Sequence, residues 1–148
     1  MRILIDADGC PVVKEAVSAA KRHDLPCIII ADTAHFFESD YAEVITVDKG
    51  ADSADLRLVN LAVKGDIVVT QDHGLAALCL SKCTKVIDQN GMEINDFNID
   101  ALLQSRYNSK KLRAAGVRLK GPAKRTAQQT RDFIEKLEML IKTERKED

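Results

Sequence analysis

Short apolar runs alternate with amphipathic segments along the first ninety residues. The runs are at residues 3–5, 27–31, 44–47, 67–70 and 85–87. Most of them are aliphatic without polar alternation, which is typical of parallel strands buried on both faces of a sheet. Because helices separate them, the pattern predicts consecutive strand–helix–strand units with right-handed crossovers and therefore an α/β fold.

The segments between the runs predict the helices. Pro11 suits the first turn of a helix at about 11–23, because its missing N–H has no partner there anyway. Further helices are expected after residue 53, near 75–79, at about 99–107 and at about 128–146. The polar stretch at about 108–126 contains Gly116 and Gly121 and predicts a basic loop. At 148 residues we expect one domain covering the whole chain.

Aspartates follow the ends of the predicted strands. They are Asp6, Asp32, Asp48, Asp72 and Asp88. The carboxyl ends of parallel strands meet at one edge of a sheet, where α/β proteins bind their ligands. Clustered carboxylates repel one another unless a cation lies between them, and Mg²⁺ or Mn²⁺ suits oxygen ligands of this kind.

Not every acid near this edge has the same claim to function. Asp6 and Asp72 are the main candidates for metal ligands and catalysis, and Asp8 adds a further carboxylate next to a glycine. Asp52 and Asp55 compete for one additional catalytic or ligating role. Helix capping is the structural explanation for the first, and a solvated helix face is the explanation for the second. Asp32 and Asp88 are also explained as residues that begin turns.

The distribution of charge is uneven, although the formal net charge is only −1. Residues 101–131 contain nine basic residues and no acid, which leaves the rest of the chain at −10. A basic stripe on an acidic body is a candidate phosphate-binding surface, and a solvated tail is the alternative. Lys120, Lys124 and Arg125 are the candidate substrate-phosphate ligands, and the hydroxyl of Thr70 is another.

The composition also excludes several classes of function. No apolar run approaches about 18 residues and no secretory signal is present, so we expect a cytoplasmic protein that does not enter a membrane. The four cysteines match no zinc or redox spacing and are expected to be reduced thiols, mostly buried. GxSxG, HExxH, P-loop and GxGxxG motifs are absent from the sequence.

Four strings carry a resemblance that covers nearly the whole chain. They are IDADGCPV at 5–12, KGADSAD at 49–55, VVTQD at 68–72 and the Gly-Pro pair at 121–122. With them the chain resembles the bacterial YaiI/YqxD family, which is similar to PIN-domain nucleases. The resemblance implies a PIN-like three-layer α/β/α fold with strand order 3-2-1-4-5. It also implies that Asp6 lies beside Asp72, with Asp52 or Asp55 at the start of the helix after the third strand.

The leading hypothesis is therefore a metal-dependent hydrolase, a nuclease that acts on RNA rather than DNA. Mg²⁺ or Mn²⁺ would activate water for attack on a phosphodiester. One alternative is a PIN-like module that binds RNA or protein without catalysis. Another is a phosphatase similar to the haloacid dehalogenases, with Asp6 as the phosphorylated nucleophile and Asp8 as the acid/base. The sequence leaves the oligomeric state open, a homodimer included.

Overall fold

A computed structural model describes residues 1–33, 36–50, 53–121 and 123–147, with the side chain of Glu147 not described. The elements in chain order are β1 (Ile3–Asp6), α1 (Val13–Arg22), β2 (Cys27–Asp32), β3 (Glu43–Val47), α2 (Ser53–Leu61), β4 (Ile67–Val69), α3 (His73–Leu80), β5 (Lys85–Ile87), β6 (Glu93–Ile94), α4 (Ile99–Ala114) and α5 (Ala127–Glu147). Each predicted strand is present, and the terminal helix is confirmed.

The strands form one sheet in the order β3-β2-β1-β4-β5-β6. The first five are parallel to their neighbours, which confirms the order 3-2-1-4-5. The sixth, β6, is antiparallel to β5 and was not predicted, because two residues after a turn carry no periodic signal. The turn between them is held by Asp88, whose Oδ1 accepts the N–H groups of Asn90 and Met92 at 2.9 Å. Asp88 therefore forms a turn, which is the structural alternative that the sequence offered for this residue.

Helices cover both faces of the sheet, because successive side chains of a buried strand point to opposite sides. In β1, Ile3 and Ile5 pack on the side of α1 and α5, where Phe133 and Leu137 are fully buried. Leu4 packs on the other side, with α2, α3 and α4. This arrangement makes a three-layer α/β/α domain with β1 and β4 at its centre.

The predicted basic loop begins later than expected, because α4 continues through Ala114. Residues 108–114 include Lys110, Leu112 and Arg113, all good helix formers, and contain no glycine or proline. Gly116, two residues after the last helical residue, stops the helix, since its φ of +84° is one that L side chains rarely adopt. Hydrogen bonds from Gly116 N–H to the Arg113 carbonyl and from Val117 N–H to the Leu112 carbonyl, each 3.0 Å, form a Schellman cap.

The described part of the chain contains no helix that is both long and apolar enough to cross a membrane. Its cysteines are all free thiols: Cys27 and Cys79 are buried, Cys10 is half-buried and Cys83 is exposed.

Candidate active site

The hydroxyl of Thr70 joins the two principal candidate acids. Asp6 ends β1 and Thr70 directly follows β4, and these two strands are neighbours in the sheet. Thr70 Oγ1 donates a hydrogen bond to Asp6 Oδ2 at 2.8 Å and accepts one from the Asp72 N–H at 3.0 Å. Asp6 and Asp72 are thereby brought together, as the sequence predicts. The proton of Thr70 is directed to Asp6, so the geometry does not support the predicted phosphate contact of this residue.

These acids open into a cleft of about 560 Å³ at the carboxyl edge of the sheet. The lining residues are Asp6, Asp8, Asp55, Gln71, Asp72, His73, Leu102, Ser105, Arg106 and Ser109. Four carboxylates thus share one cleft, and the α4 helix forms the opposite wall. Three acids that were candidates by position are not among its lining residues: Asp32 ends β2, Asp48 is exposed, and Asp88 holds its turn.

Burial and the neighbouring acids change the protonation of Asp6. Burial raises the pKa of Asp6 to about 6, the hydrogen bond from Thr70 opposes this, and the charges of Asp55, Asp8 and Asp72 raise it further. Ionised Asp6 in the cleft therefore destabilises the folded protein. A cation placed among these carboxylates would offset this destabilisation, because opposite charge favours the ionised form of Asp6.

Removing the Thr70 hydroxyl is expected to raise the pKa of Asp6 above about 6. The variant Thr70→Val keeps the shape of the side chain but takes away the hydrogen bond that stabilises the carboxylate. The pKa is measured by following the Asp6 carboxyl carbon by NMR across a pH titration without metal. Thr84→Val is the matched control, because Thr84 is also buried and donates to the Cys79 carbonyl instead. An Asp6 pKa that is the same in Thr70→Val and wild type would contradict this assignment.

Asp72 is held in place by two donors on the same oxygen. Its Oδ1 accepts the Leu75 N–H at 3.1 Å, which caps the N-terminus of α3. The same oxygen accepts a hydrogen bond from Arg106 Nη1 at 3.0 Å, across the cleft from α4. The orientation of the Asp72 carboxylate is thus determined by a helix terminus and by a cation.

Gly9 lets the chain turn sharply between Asp8 and α1. Its φ is +73°, and a Cβ at this position would come within 3.0 Å of Gln71 Nε2. That amide nitrogen donates to the Gly9 carbonyl at 3.0 Å, which ties the first acidic loop to the segment after β4. Asp8 Oδ1 accepts the Asp32 N–H at 3.4 Å, so the loop is also tied to the end of β2.

The remaining predicted site residues are placed differently. Asp55 lines the cleft, whereas Asp52 lies outside the described residues. Lys120 and Lys124 are exposed in the segment after α4 and do not line the cleft. Arg125 donates to Asn90 Oδ1 and to the Gln89 carbonyl, each at 2.6 Å, so its guanidinium holds the β5–β6 turn. The geometry therefore does not support its predicted role as a phosphate ligand.

Sequence reasoning missed the wall that α4 contributes. Leu102, Ser105, Arg106 and Ser109 follow the i, i+3, i+4, i+7 spacing of one helix face, and this polar face was the available signal. His73, the half-buried first residue of α3, also lines the cleft.

The donor atoms of the cleft suit a hard cation. Carboxylate oxygens are the ligands that Mg²⁺ and Mn²⁺ prefer. Across residues 1–33, 36–50, 53–121 and 123–147, no three His, Cys, Asp or Glu side chains are grouped closely enough to hold a metal ion by themselves. Mg²⁺ usually takes only one or two carboxylates together with waters and substrate phosphates, so the cleft fits such an ion through two of its acids.

Comparison with known proteins gives a family and close relatives. The family model described as "Uncharacterized BCR, YaiI/YqxD family" matches residues 4–143. A "UPF0178 protein" of Ruminiclostridium cellulolyticum is 46% identical over 144 residues, 97% of this chain and 94% of the relative. Proteins of the same name are similar in Exiguobacterium sibiricum, with 44% identity over 95% of this chain and 96% of the relative, and in Enterococcus faecalis, with 41% over 96% and 98%. No solved structure matches the chain.

Proposed function

We propose that this chain, which belongs to the YaiI/YqxD family, is a Mg²⁺- or Mn²⁺-dependent nuclease that acts on RNA in the cytoplasm. The observation that carries the proposal is the position of Asp6. Its carboxylate is held by Thr70 in a cleft that it shares with Asp8, Asp55 and Asp72. A helix cap and an ion pair account for Asp72, and the Asp32 N–H binds Asp8. Burying Asp6 beside these acids raises its pKa and destabilises the folded state, which a purely structural role would not require.

Asp6 and Asp55 would hold the metal through two carboxylates, because Asp55 has the strongest effect on Asp6 among the neighbouring acids. Asp72 and Asp52 are the alternative candidates for the second carboxylate. A bound ion would lower the pKa of the water that attacks and would neutralise the charge that develops on the phosphate. Thr70 keeps the Asp6 carboxylate oriented toward the cleft. Above a pH of about 6 this carboxylate is ionised and ready to bind a cation or accept a proton.

Arg106 gives the cleft a cation that faces the acids. Its side chain is 56% exposed, and it pairs with Asp72 at 3.0 Å. An exposed ion pair of this kind is worth little to stability, about 0 to 1 kcal/mol, so a phosphate can compete for the guanidinium at small cost. We propose that Arg106 binds a substrate phosphate at the cleft. Lys110 and Arg113 on the same helix are exposed and extend the positive surface away from it.

The proposal is tested by incubating the purified protein with single-stranded RNA and DNA of one sequence, with Mn²⁺, with Mg²⁺ or with a chelator. Cleavage of RNA that requires the metal is expected. Replacing Asp55 by Asn is expected to reduce cleavage at limiting metal by more than the roughly 10- to 100-fold typical of a group that only supports a ligand, because a ligand is lost. The matched control is Asp48→Asn, which removes an exposed acid outside the cleft and should leave the rate unchanged.

The alternatives correspond to other outcomes of the same experiment. RNA that is bound but not cleaved with either metal, with unchanged affinity in Asp6→Asn, would support the binding module and contradict the nuclease. Hydrolysis of a phosphomonoester, together with a fluoroberyllate adduct on Asp6, would support the phosphatase. DNA cleaved as fast as RNA would overturn the choice of RNA as substrate.

A further inference from the structure

A second concavity adjoins the carboxylate cleft. It lies between α2, α3 and α4, has a volume of about 510 Å³, and shares Asp55, Asp72 and Arg106 with the cleft. Its other lining residues are Leu56, Gly74, Leu75, Ala77, Leu78 and Leu103. We call this concavity the leucine groove. Its charged residues are the three that it shares with the cleft, and the rest of its lining is apolar.

The leucines of this groove come from three helices and differ in exposure. Leu56 of α2 is 59% exposed and Leu78 of α3 is 51% exposed, while Leu75 beneath them is 2% exposed. Single exposed leucines are normal on protein surfaces. Here they are the walls of one concavity whose volume falls within the range of small-ligand sites, about 300 to 1,000 Å³.

We propose that the leucine groove binds the base of the nucleotide next to the phosphate that lies in the cleft. A nucleotide has an anionic phosphate at one end and a flat, largely apolar base at the other. The carboxylate cleft would take the phosphate, and the leucine groove beside it would take the base. The planar guanidinium of Arg106 lies at their junction, where it can contact a phosphate on one side and the face of a base on the other.

A nucleic-acid strand fits the groove better than an apolar segment of a protein does. The charged end of the groove, with Asp72 and Arg106, has no use in binding an apolar protein segment. A strand whose phosphate lies in the cleft would place its next base beside these two residues. Leucine side chains contact every base by its apolar face, so the groove would add affinity with little choice of sequence. This inference names the substrate contact of the site and rests on the proposed function.

Binding, rather than cleavage, tests the groove. The probes are a fluorescent oligouridine and the same ribose-phosphate chain without bases, and their affinities are measured by anisotropy with Ca²⁺, another oxygen-binding cation, in place of Mg²⁺ or Mn²⁺. Electrophoresis of the probes after each measurement checks that they are uncleaved. Wild type is expected to bind oligouridine about tenfold more tightly than the abasic chain, because a base in the groove removes apolar surface of both partners from water. The double variant Leu56→Ser/Leu78→Ser should lose most of that difference and keep its affinity for the abasic chain.

The control variant is Val63→Ser/Met139→Ser, which changes two apolar residues of similar exposure outside the groove. It should retain the full preference for oligouridine. Because the abasic chain is an internal measure of folding, a misfolded variant would lose affinity for both probes. A second pair, Leu56→Met/Leu78→Met, keeps the groove apolar and should restore the preference.

The outcomes separate this inference from the nuclease proposal. If wild type binds both probes equally, or if the serine variant keeps the preference, the groove does not bind a base, even when RNA is cleaved. If the preference is present and depends on the leucines but RNA is never cleaved, the groove is supported and the nuclease fails.

Discussion

Asp6→Asn is expected to abolish RNA cleavage and, without metal, to stabilise the fold at neutral pH. Asparagine keeps an oxygen that accepts the Thr70 hydrogen bond but removes the charge, so cleavage should fall about a thousandfold or more. The pKa of Asp6 is raised from 3.8 to about 6, so burying the ion destabilises the folded state. Each pKa unit corresponds to about 1.4 kcal/mol, and the gain in stability is therefore at most about 3 kcal/mol.

The pH dependence of this gain follows from the sign of the shift. Below pH 3.8 the carboxyl is protonated in both the folded and the unfolded states, so Asp6 carries no penalty there. As the pH rises toward and through about 6, the stability provided by the folded-state proton is lost. The difference between variant and wild type should thus be largest at pH 7 to 8 and shrink toward pH 4.

Urea unfolding at several pH values in a chelator measures this difference. Asp48→Asn, at an exposed position, should track wild type at every pH. Added Mn²⁺ should stabilise wild type and not Asp6→Asn, because only a bound ligand shifts the folding equilibrium. Cleavage at the wild-type rate by Asp6→Asn, or a stability difference independent of pH, would contradict the assignment of Asp6.

Asp66→Ala is expected to lower the free energy of unfolding by about 3 to 5 kcal/mol. Asp66 is 1% exposed and lies at the opposite edge of the sheet from Asp6, directly before β4. Its Oδ2 accepts from Arg2 Nη2 at 2.7 Å and from the Val63 N–H at 3.0 Å, and its Oδ1 accepts the Arg2 N–H at 3.1 Å. Alanine would leave these donors without their acceptor.

The matched control for this variant is the exposed ion pair of Lys21 and Asp40, whose charged atoms are 3.8 Å apart. Asp40→Ala should change stability by less than about 1 kcal/mol, since exposed pairs contribute little. Both are measured by urea unfolding at pH 7. Cleavage by Asp66→Ala at a temperature where it remains folded should equal that of wild type. A loss of activity without a loss of stability would contradict a structural role.

The contrast between Asp6 and Asp66 shows what strand position alone conveys. Both are aspartates beside central strands; Asp66 is fully buried, and Asp6 is half-buried where it lines the cleft. The one after its strand faces other acids, and the one before its strand faces Arg2. Because ligands bind at the carboxyl ends of parallel strands, the sequence positions alone distinguish Asp6 as a candidate site residue from Asp66 as a structural one.

The sequence by itself determined the strands and the acidic edge. Runs such as 27–31 and 67–70 are apolar on both faces, and such runs are stable only in the middle of a covered parallel sheet. The acids that follow them must then share one edge, which is why Asp6 and Asp72 could be placed together. These are local signals, readable over a few residues.

The tertiary structure alone decided which polar groups face that edge. Arg106 is 34 residues from Asp72, and their contact depends on how Leu102 and Leu103 seat α4 against its neighbours. Composition assigned Arg125 to the same basic stripe, yet its guanidinium turns to the Gln89 carbonyl. The number of charged residues can be read from the sequence, but the partner that each charged side chain contacts depends on how elements distant in sequence pack together.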